Sequence, residues 1–223
     1  MDRPNNDANP YEGFELGKPA LVCRWRLAGG KLPLENRHLR ALAARTVAGE
    51  RVSTELVAWA KQHLEWTLTE GSRAYPDGVL MLVVDDQGRA AMTAGPYAAL
   101  EACDVAALAA RAHEAHHEAQ ETGVAPEALW AVQGQTVLCD VVEGAYTSGA
   151  QSLIEDLART LRMQLEPRAG LLDAVQGAPE DFDEVFLVSD EHGVVAAQGC
   201  QGSVCDRFVQ GYAKLLEAQR ARA

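Results

Sequence analysis

The stretch from Ser152 to Val195 constrains the fold more than any other part of this chain. In SLIEDLARTL, Leu153, Ile154, Leu157 and Leu161 recur at helical spacing and give the segment one apolar face. Further on, in DEVFLVSDEHGVV, Val185-Phe186-Leu187-Val188 is a short unbroken apolar run bounded by acidic residues and Gly193, the pattern of a buried strand. A helix of the first kind and a strand of the second place the chain among mixed folds with a real core.

Composition narrows the class. The 223 residues, 48% hydrophobic, are enough for one large domain or two small ones. No run approaches the roughly 20 apolar residues of a membrane span. The opening MDRPNNDANPYEG is polar and lacks the apolar centre of a secretory signal, so a cytoplasmic protein is expected. Five cysteines, an odd number, read as reduced thiols, and Cys200 with Cys205 is one close pair and not a zinc site. The net charge of −12 disfavours nucleic acid and anionic membrane surfaces, both of which demand clustered Lys and Arg.

The elements follow in order. Residues 1–10 are expected to be disordered. Leu21 to Leu27 reads as a strand, Leu34 to Thr46 and Ser53 to Leu68 as helices, and Val79 to Val84 with Arg89 to Thr93 as a hairpin turned at Asp85-Asp86-Gln87-Gly88. Ala98 to Gln120 reads as one alanine-rich helix with Val105, Leu108, Ala112, Ala115 and Ala119 on its core face, stopped by Gly123. Ala128 to Val132 and Thr136 to Val142 read as paired strands, Gln164 to Glu166 as a short strand, and Leu171 to Val175 as an apolar turn. A C-terminal helix contains Gly211. The expected division is an N-terminal α+β subdomain over residues 11–97 and a C-terminal α/β subdomain over 98–223.

Five pieces of sequence, in this order, resemble the fold-type IV pyridoxal-phosphate family, which comprises class IV aminotransferases (branched-chain and D-amino-acid aminotransferases) and aminodeoxychorismate lyase. They are GFELGKPALVCRWRLAGGKLPLENRHLRAL, LAARAHEAHHEAQETGVAPEALWAV, VVEGAYTSGAQSLIEDLARTL, DEVFLVSDEHGVV and GSVCDRFVQGYAKLL. The resemblance covers nearly the whole chain. It implies a two-subdomain α+β architecture like that of D-amino-acid aminotransferase, a homodimer, and a cleft between the subdomains. The second subdomain is shortened, because Gly149 follows Glu143 so closely that a family hairpin is missing between them.

The family's chemistry does not carry over residue by residue. Its cofactor is held as an imine on a lysine, which attacks the aldehyde as a free amine and later moves protons. Here no lysine occurs between Lys61 and Lys214, and the matching segment reads Glu101-Ala102-Cys103-Asp104. The family's phosphate-binding helix arginine falls on Ala41, with Arg40 one place away and so about 100° around the helix. The loop that offers backbone amides to the phosphate becomes Gly149-Ala150-Gln151. The strand-end threonine becomes Asp190, whose carboxylate repels a phosphate dianion. Glu143 matches the glutamate that pairs with the pyridine nitrogen, and a solvated loop carboxylate is the competing reading.

The expectation is therefore a class IV aminotransferase-like protein without pyridoxal catalysis, a pseudoenzyme with a ligand-binding or protein-interaction role and no cofactor. Its remaining cleft is expected to be walled by Arg24, Arg26, Arg40, Glu143, Ser189 and Asp190. One alternative is a degenerate aminotransferase or lyase that uses pyridoxal phosphate through Lys61 or Lys214 and acts on amino acids or aminodeoxychorismate-like substrates. A second is a zinc hydrolase. His113-Glu114-Ala115-His116-His117 fits His-Glu-x-x-His, with His113 and His117 on one helix face and Glu118 or Glu121 available nearby, but no spacing selects a third ligand and the pattern equally suits a polar helix face. His38 and His192 read as structural. Cys103 and Cys139 would be nucleophiles only beside a base, and Gly-x-Ser-x-Gly is absent.

Overall fold

The computed structural model describes residues 15–71 and 73–221, so the expectation for residues 1–10 lies outside the described residues. β1 (Pro19–Arg26) alternates in burial: Leu21, Cys23 and Trp25 face a core, and Arg24 and Arg26 lie on the opposite face. α1 (Glu35–Ala44) follows. The chain then makes a short ladder, β2 (Thr46–Val47) against β3 (Glu50–Arg51), turned at Ala48 and Gly49 with φ of 52° and 84°. Nothing in the hydrophobic pattern announced this ladder. α2 (Thr54–Gly71) leads to β4 (Val79–Asp85) and β5 (Ala90–Gly95), which complete an antiparallel sheet ordered β1-β4-β5. Leu39, Leu42, Ala60 and Leu64 from the two helices meet Leu21, Trp25, Leu80 and Leu82 from the sheet in the first core.

The next element corrects the sequence reading. The helix expected from Ala98 begins at Val105: α3 spans Val105–Thr122. Asp104 caps it, its carboxylate accepting the Ala107 amide at 2.9 Å, while the Cys103 carbonyl is occupied by the Gln198 amide at 2.7 Å. Those two contacts hold residues 103–104 extended, and 98–102 remain a loop. Gly123, at φ 67°, ends α3 as expected.

β6 (Glu127–Gln133), β7 (Thr136–Asp140), α4 (Gly149–Thr160), β8 (Gln164–Arg168), α5 (Leu171–Gly177), β9 (Glu184–Ser189), β10 (Gly193–Ala196) and α6 (Ser203–Arg220) complete the chain. Leu171 to Val175, expected as a turn, is helical because Leu171, Leu172 and Val175 can be buried together only on a helical face. The five strands are ordered β10-β9-β6-β7-β8, antiparallel except for β7 and β8, whose parallel pairing is made possible by the α4 crossover. α3 and α5 pack on one face around Leu108, Leu129, Leu172 and Leu187, and α4 and α6 on the other around Ile154, Phe186, Val188 and Phe208. All six β9 residues are buried, which explains why its sequence is an apolar run and not an alternation. Among the described residues no helix is long and apolar enough to cross a membrane.

Candidate functional site

The two sheets meet where β1 and α1 abut the end of β9, the start of α4 and one side of α3. The Arg26 amide donates to the Asp190 carbonyl at 3.0 Å, which joins the first strand to the end of β9. On the outer face of β1, Arg24 spans two carboxylates at 3.2 Å each, Glu118 of α3 and Glu191 just after β9. Burial raises the pKa of both acids, and Arg24 opposes the rise. The Arg26 guanidinium lies over the Tyr97 ring.

Beyond Arg24 the network continues through a nearly buried glutamate. Arg111 of α3 grips Glu127 with two nitrogens, the shortest contact being 2.8 Å, and His192 Nε2 stands 3.4 Å from the same carboxylate. His192 Nδ1 lies 3.3 Å from the Tyr97 hydroxyl. Burial pushes the pKa of His192 down to about 4, and the charges of Arg111, Arg24 and Arg26 add to this, so the ring is neutral at pH 7. Ser189 Oγ accepts the amides of Glu191 and His192, both at 3.1 Å, and so shapes the turn that carries these residues.

Asp190 is 5% exposed and sits at the N-terminus of α4. Its Oδ1 accepts the Ala150 amide at 2.7 Å, and its Oδ2 is 3.5 Å from His38 Nδ1. Burial alone would raise its pKa, but His38, the Ala150 amide and the Arg45 charge together hold it below the usual carboxylate range. The first turn of α4 is further closed by a capping box: Ser148 Oγ accepts the Gln151 amide, and Gln151 Oε1 accepts that of Ser148.

The expected cleft residues are thus only partly brought together. Arg24, Arg26, Ser189 and Asp190 lie at the junction, bound into contacts that fill it. Arg40 is exposed, its Nε turned to the Asn36 carbonyl, and Glu143 is exposed in a loop. A concavity of about 460 Å³ does open beside the junction, lined by Leu100, Glu101, Ala102, Arg111, Glu191 and His192. It lies at the segment where the resemblance places the imine lysine. His38, Arg45, Tyr97, Arg111, Glu127, Glu191 and His192 were not singled out as site residues. One signal was present for two of them: His38, Leu42 and Arg45 stand at helical spacing, so that the arginine and histidine share a face with a core leucine.

The remaining candidates fare as follows. His113 and His117 bring their Nε2 atoms to 3.2 Å on an exposed face, with Glu114 also exposed. Glu118 is engaged by Arg24, and His116 turns to Asp140 at 2.5 Å. Among the described residues no cluster of three or more His, Cys, Asp or Glu side chains suits a metal ion. Cys139 is pushed up to about 11 by burial and then by Glu155 and Asp140, so its thiol is protonated and unreactive at neutral pH.

A three-stranded sheet with two helices, set against a five-stranded sheet helical on both faces, is the fold-type IV architecture of class IV aminotransferases and aminodeoxychorismate lyase. The 4-amino-4-deoxychorismate lyase of Pseudomonas aeruginosa is similar at a TM-score of 0.57 and 16% identity, over 87% of this chain and 90% of that one. A putative branched-chain amino acid aminotransferase of Thermotoga maritima is similar at 0.58 and 12%, over 89% and 86%. A hypothetical aminotransferase of Mycobacterium tuberculosis, in its α-ketoglutarate- and PMP-bound form, is similar at 0.56 and 15%, over 92% and 93%. At such identities the likeness is one of fold. No family model matches the sequence, and no curated protein matches it.

Proposed function

We propose that this chain is a fold-type IV protein that has given up pyridoxal chemistry and works by binding. The observation that carries this reading is the segment Glu101–Asp104: it borders the 460 Å³ concavity and holds no amine. The four lysines of the sequence, Lys18, Lys31, Lys61 and Lys214, are all exposed, the last two on the outer faces of α2 and α6. The residues present do not fit pyridoxal phosphate at its other end either, since a carboxylate and a closed capping box occupy the start of α4.

The ligand position in this reading is the concavity itself. Arg111 and Glu191 offer opposite charges there, a pair suited to a small zwitterionic or polar molecule, while His192, its two nitrogens turned to Glu127 and Tyr97, forms part of the wall. A homodimer, implied by the resemblance, completes the proposal.

The test is to mix the protein with an equimolar amount of pyridoxal phosphate, record absorbance at the imine band, reduce with borohydride and map any adduct by mass spectrometry. The expected result is no stoichiometric adduct. A single stoichiometric adduct at Lys61 or Lys214 overturns the reading in favour of a degenerate aminotransferase or lyase.

A further inference from the structure

Away from the junction, a concavity of about 760 Å³ runs between α2 and β5. Trp59, His63 and Trp66 stand in a row along its helix side: the imidazole stacks on the Trp59 ring with centroids 4.0 Å apart and meets the Trp66 ring at 5.1 Å. His63 Nδ1 lies 3.1 Å from the Trp59 carbonyl, which fixes the middle ring. Trp59 packs against the first core, yet Trp66, at the open end of the row, is 53% exposed. The row is an aromatic ledge held by the core and presented to solvent.

β5 forms the other side. It is the outer strand of the sheet β1-β4-β5, and among the described residues no strand pairs with its free edge. The opposite strand, β1, is the one joined to the end of β9 through Arg26 and Asp190, so the free edge of β5 points away from the five-stranded sheet. An open edge invites another strand, and folded proteins blunt it with charge, proline, a bulge or brevity. β8 carries Glu166, Pro167 and Arg168, and β10 is only four residues long. β5 reads Ala90-Ala91-Met92-Thr93-Ala94-Gly95, with neither charge nor proline, and its register with β4 runs without a bulge.

Charge selects what lies on this edge. Among the described residues lining the concavity, Glu70 is the only Asp, Glu, Lys or Arg. A basic partner would find a single carboxylate there, and an acidic partner no cation. The chain itself carries a net charge of −12, so two copies repel least through a face as nearly neutral as this one. A strand edge is also complementary to itself: about a two-fold axis normal to the sheet, β5 meets a second β5 antiparallel, and the contact closes at two copies.

We propose that the free edge of β5 and the aromatic row of α2 form the contact between two copies of this chain, joined β5 to β5 so that their three-stranded sheets become one. The two-fold axis sets the two α2 helices on the same face of the joined sheet, and Trp66 is the anchor that the contact buries. This rests on the homodimer of the proposed function and names its surface, which is separate from the 460 Å³ concavity.

The experiment measures the self-association of the full chain by analytical ultracentrifugation for wild type, Trp66→Glu, Thr93→Lys and, as a control on the guarded edge, Glu166→Lys; all three positions are exposed. Wild type and Glu166→Lys are expected to dimerise equally well. Trp66→Glu and Thr93→Lys should each weaken the dimer at least about tenfold, since each buries an unpaired charge at the contact. Hydrogen exchange of wild type supplies a readout that needs no variant: alternate β5 amides should exchange more slowly as concentration rises, because they then donate across the joined edge. A wild-type dimer that survives unweakened in both folded variants, or β5 amides that exchange at the same rate at every concentration, overturns this surface and leaves the homodimer standing. A monomeric wild type overturns surface and homodimer together. A stoichiometric pyridoxal adduct overturns the loss of cofactor chemistry alone.

Discussion

The guanidinium carbon of Arg26 lies 3.3 Å from the centroid of the Tyr97 ring, so the last residue of β1 is covered by the loop that follows β5. Burial lowers the pKa of this arginine, and Tyr97 leads the groups that oppose the loss. Since Arg26 Nη1 is buried without a hydrogen bond, the ring face is the main compensation for its desolvation. Tyr97→Leu should lower unfolding free energy by about 2 kcal/mol. Tyr97→Phe, which keeps the ring and loses only the hydroxyl near His192, should cost about 1 kcal/mol or less. Urea unfolding of both variants checks this, and equal losses would show that the hydroxyl, not the ring, matters.

His192 gives the junction a pH dependence whose sign is fixed. Its pKa falls from 6.5 in the unfolded chain to about 4 in the folded protein, so between those values the unfolded state binds more protons. The stabilisation is complete above pH 6.5 and is lost as pH falls towards 4. Arg111, Arg24 and Arg26 face the ring from α3 and β1, with Glu127 and Tyr97 as its hydrogen-bonding neighbours. The loss should reach on the order of 2 kcal/mol once partial solvent screening is allowed for. Unfolding curves at pH 7.5 and pH 5.0 measure it, and His192→Asn should flatten the difference.

At the far end of β9, Glu184 fixes the start of α6 through the Val204 and Cys205 amides, and the side chain leaves no room for a Cβ at Gly202. Glu184→Gln keeps one acceptor and should cost about 1 kcal/mol, and Glu184→Ala about 2 kcal/mol. Hydrogen exchange at the first turn of α6 should quicken in the same order. If Val204 and Cys205 exchange unchanged in Glu184→Ala, the carboxylate is not their cap.

What the sequence disclosed and what it hid divide along a physical line. Val185 to Val188 and the Leu153–Leu161 stripe report burial on the faces of single elements, and such periodicity is local, so both elements lie where expected. The false start at Ala98 has the same origin: alanine-rich text continues the helical pattern backwards, and only the Gln198 contact with Cys103, from far along the chain, stops it at Asp104. The junction was less legible. Arg24, Arg26, Ser189 and Asp190 could be placed there by likeness to a family, but that His38 meets Asp190 and Gly149 at the start of α4 depends on how two sheets dock, which no spacing encodes. Arg40 and Glu143, expected at the same cleft by likeness, are exposed, Arg40 with its Nε on the Asn36 carbonyl and Glu143 in a loop.

The contact between Gly149 and His38 offers the sharpest test of that docking. An alanine at the first position of a helix is ordinarily favourable over glycine, by up to about 1 kcal/mol. Here the added Cβ would lie 2.5 Å from Nδ1 and 2.9 Å from Cε1 of His38, closer than unbonded atoms tolerate. His38 cannot swing away freely, because it is 3% exposed and stacks on Trp25 with centroids 5.1 Å apart. Gly149→Ala should therefore destabilise the protein by about 2–3 kcal/mol, as overpacking in a rigid interior does. In a His38→Ala background the same change should become neutral or stabilising, because only the helix preference is left. A double-mutant cycle by urea unfolding measures the coupling. If Gly149→Ala is equally costly with and without His38, the imidazole is not seated on α4, and the junction of α1 with α4 is built differently.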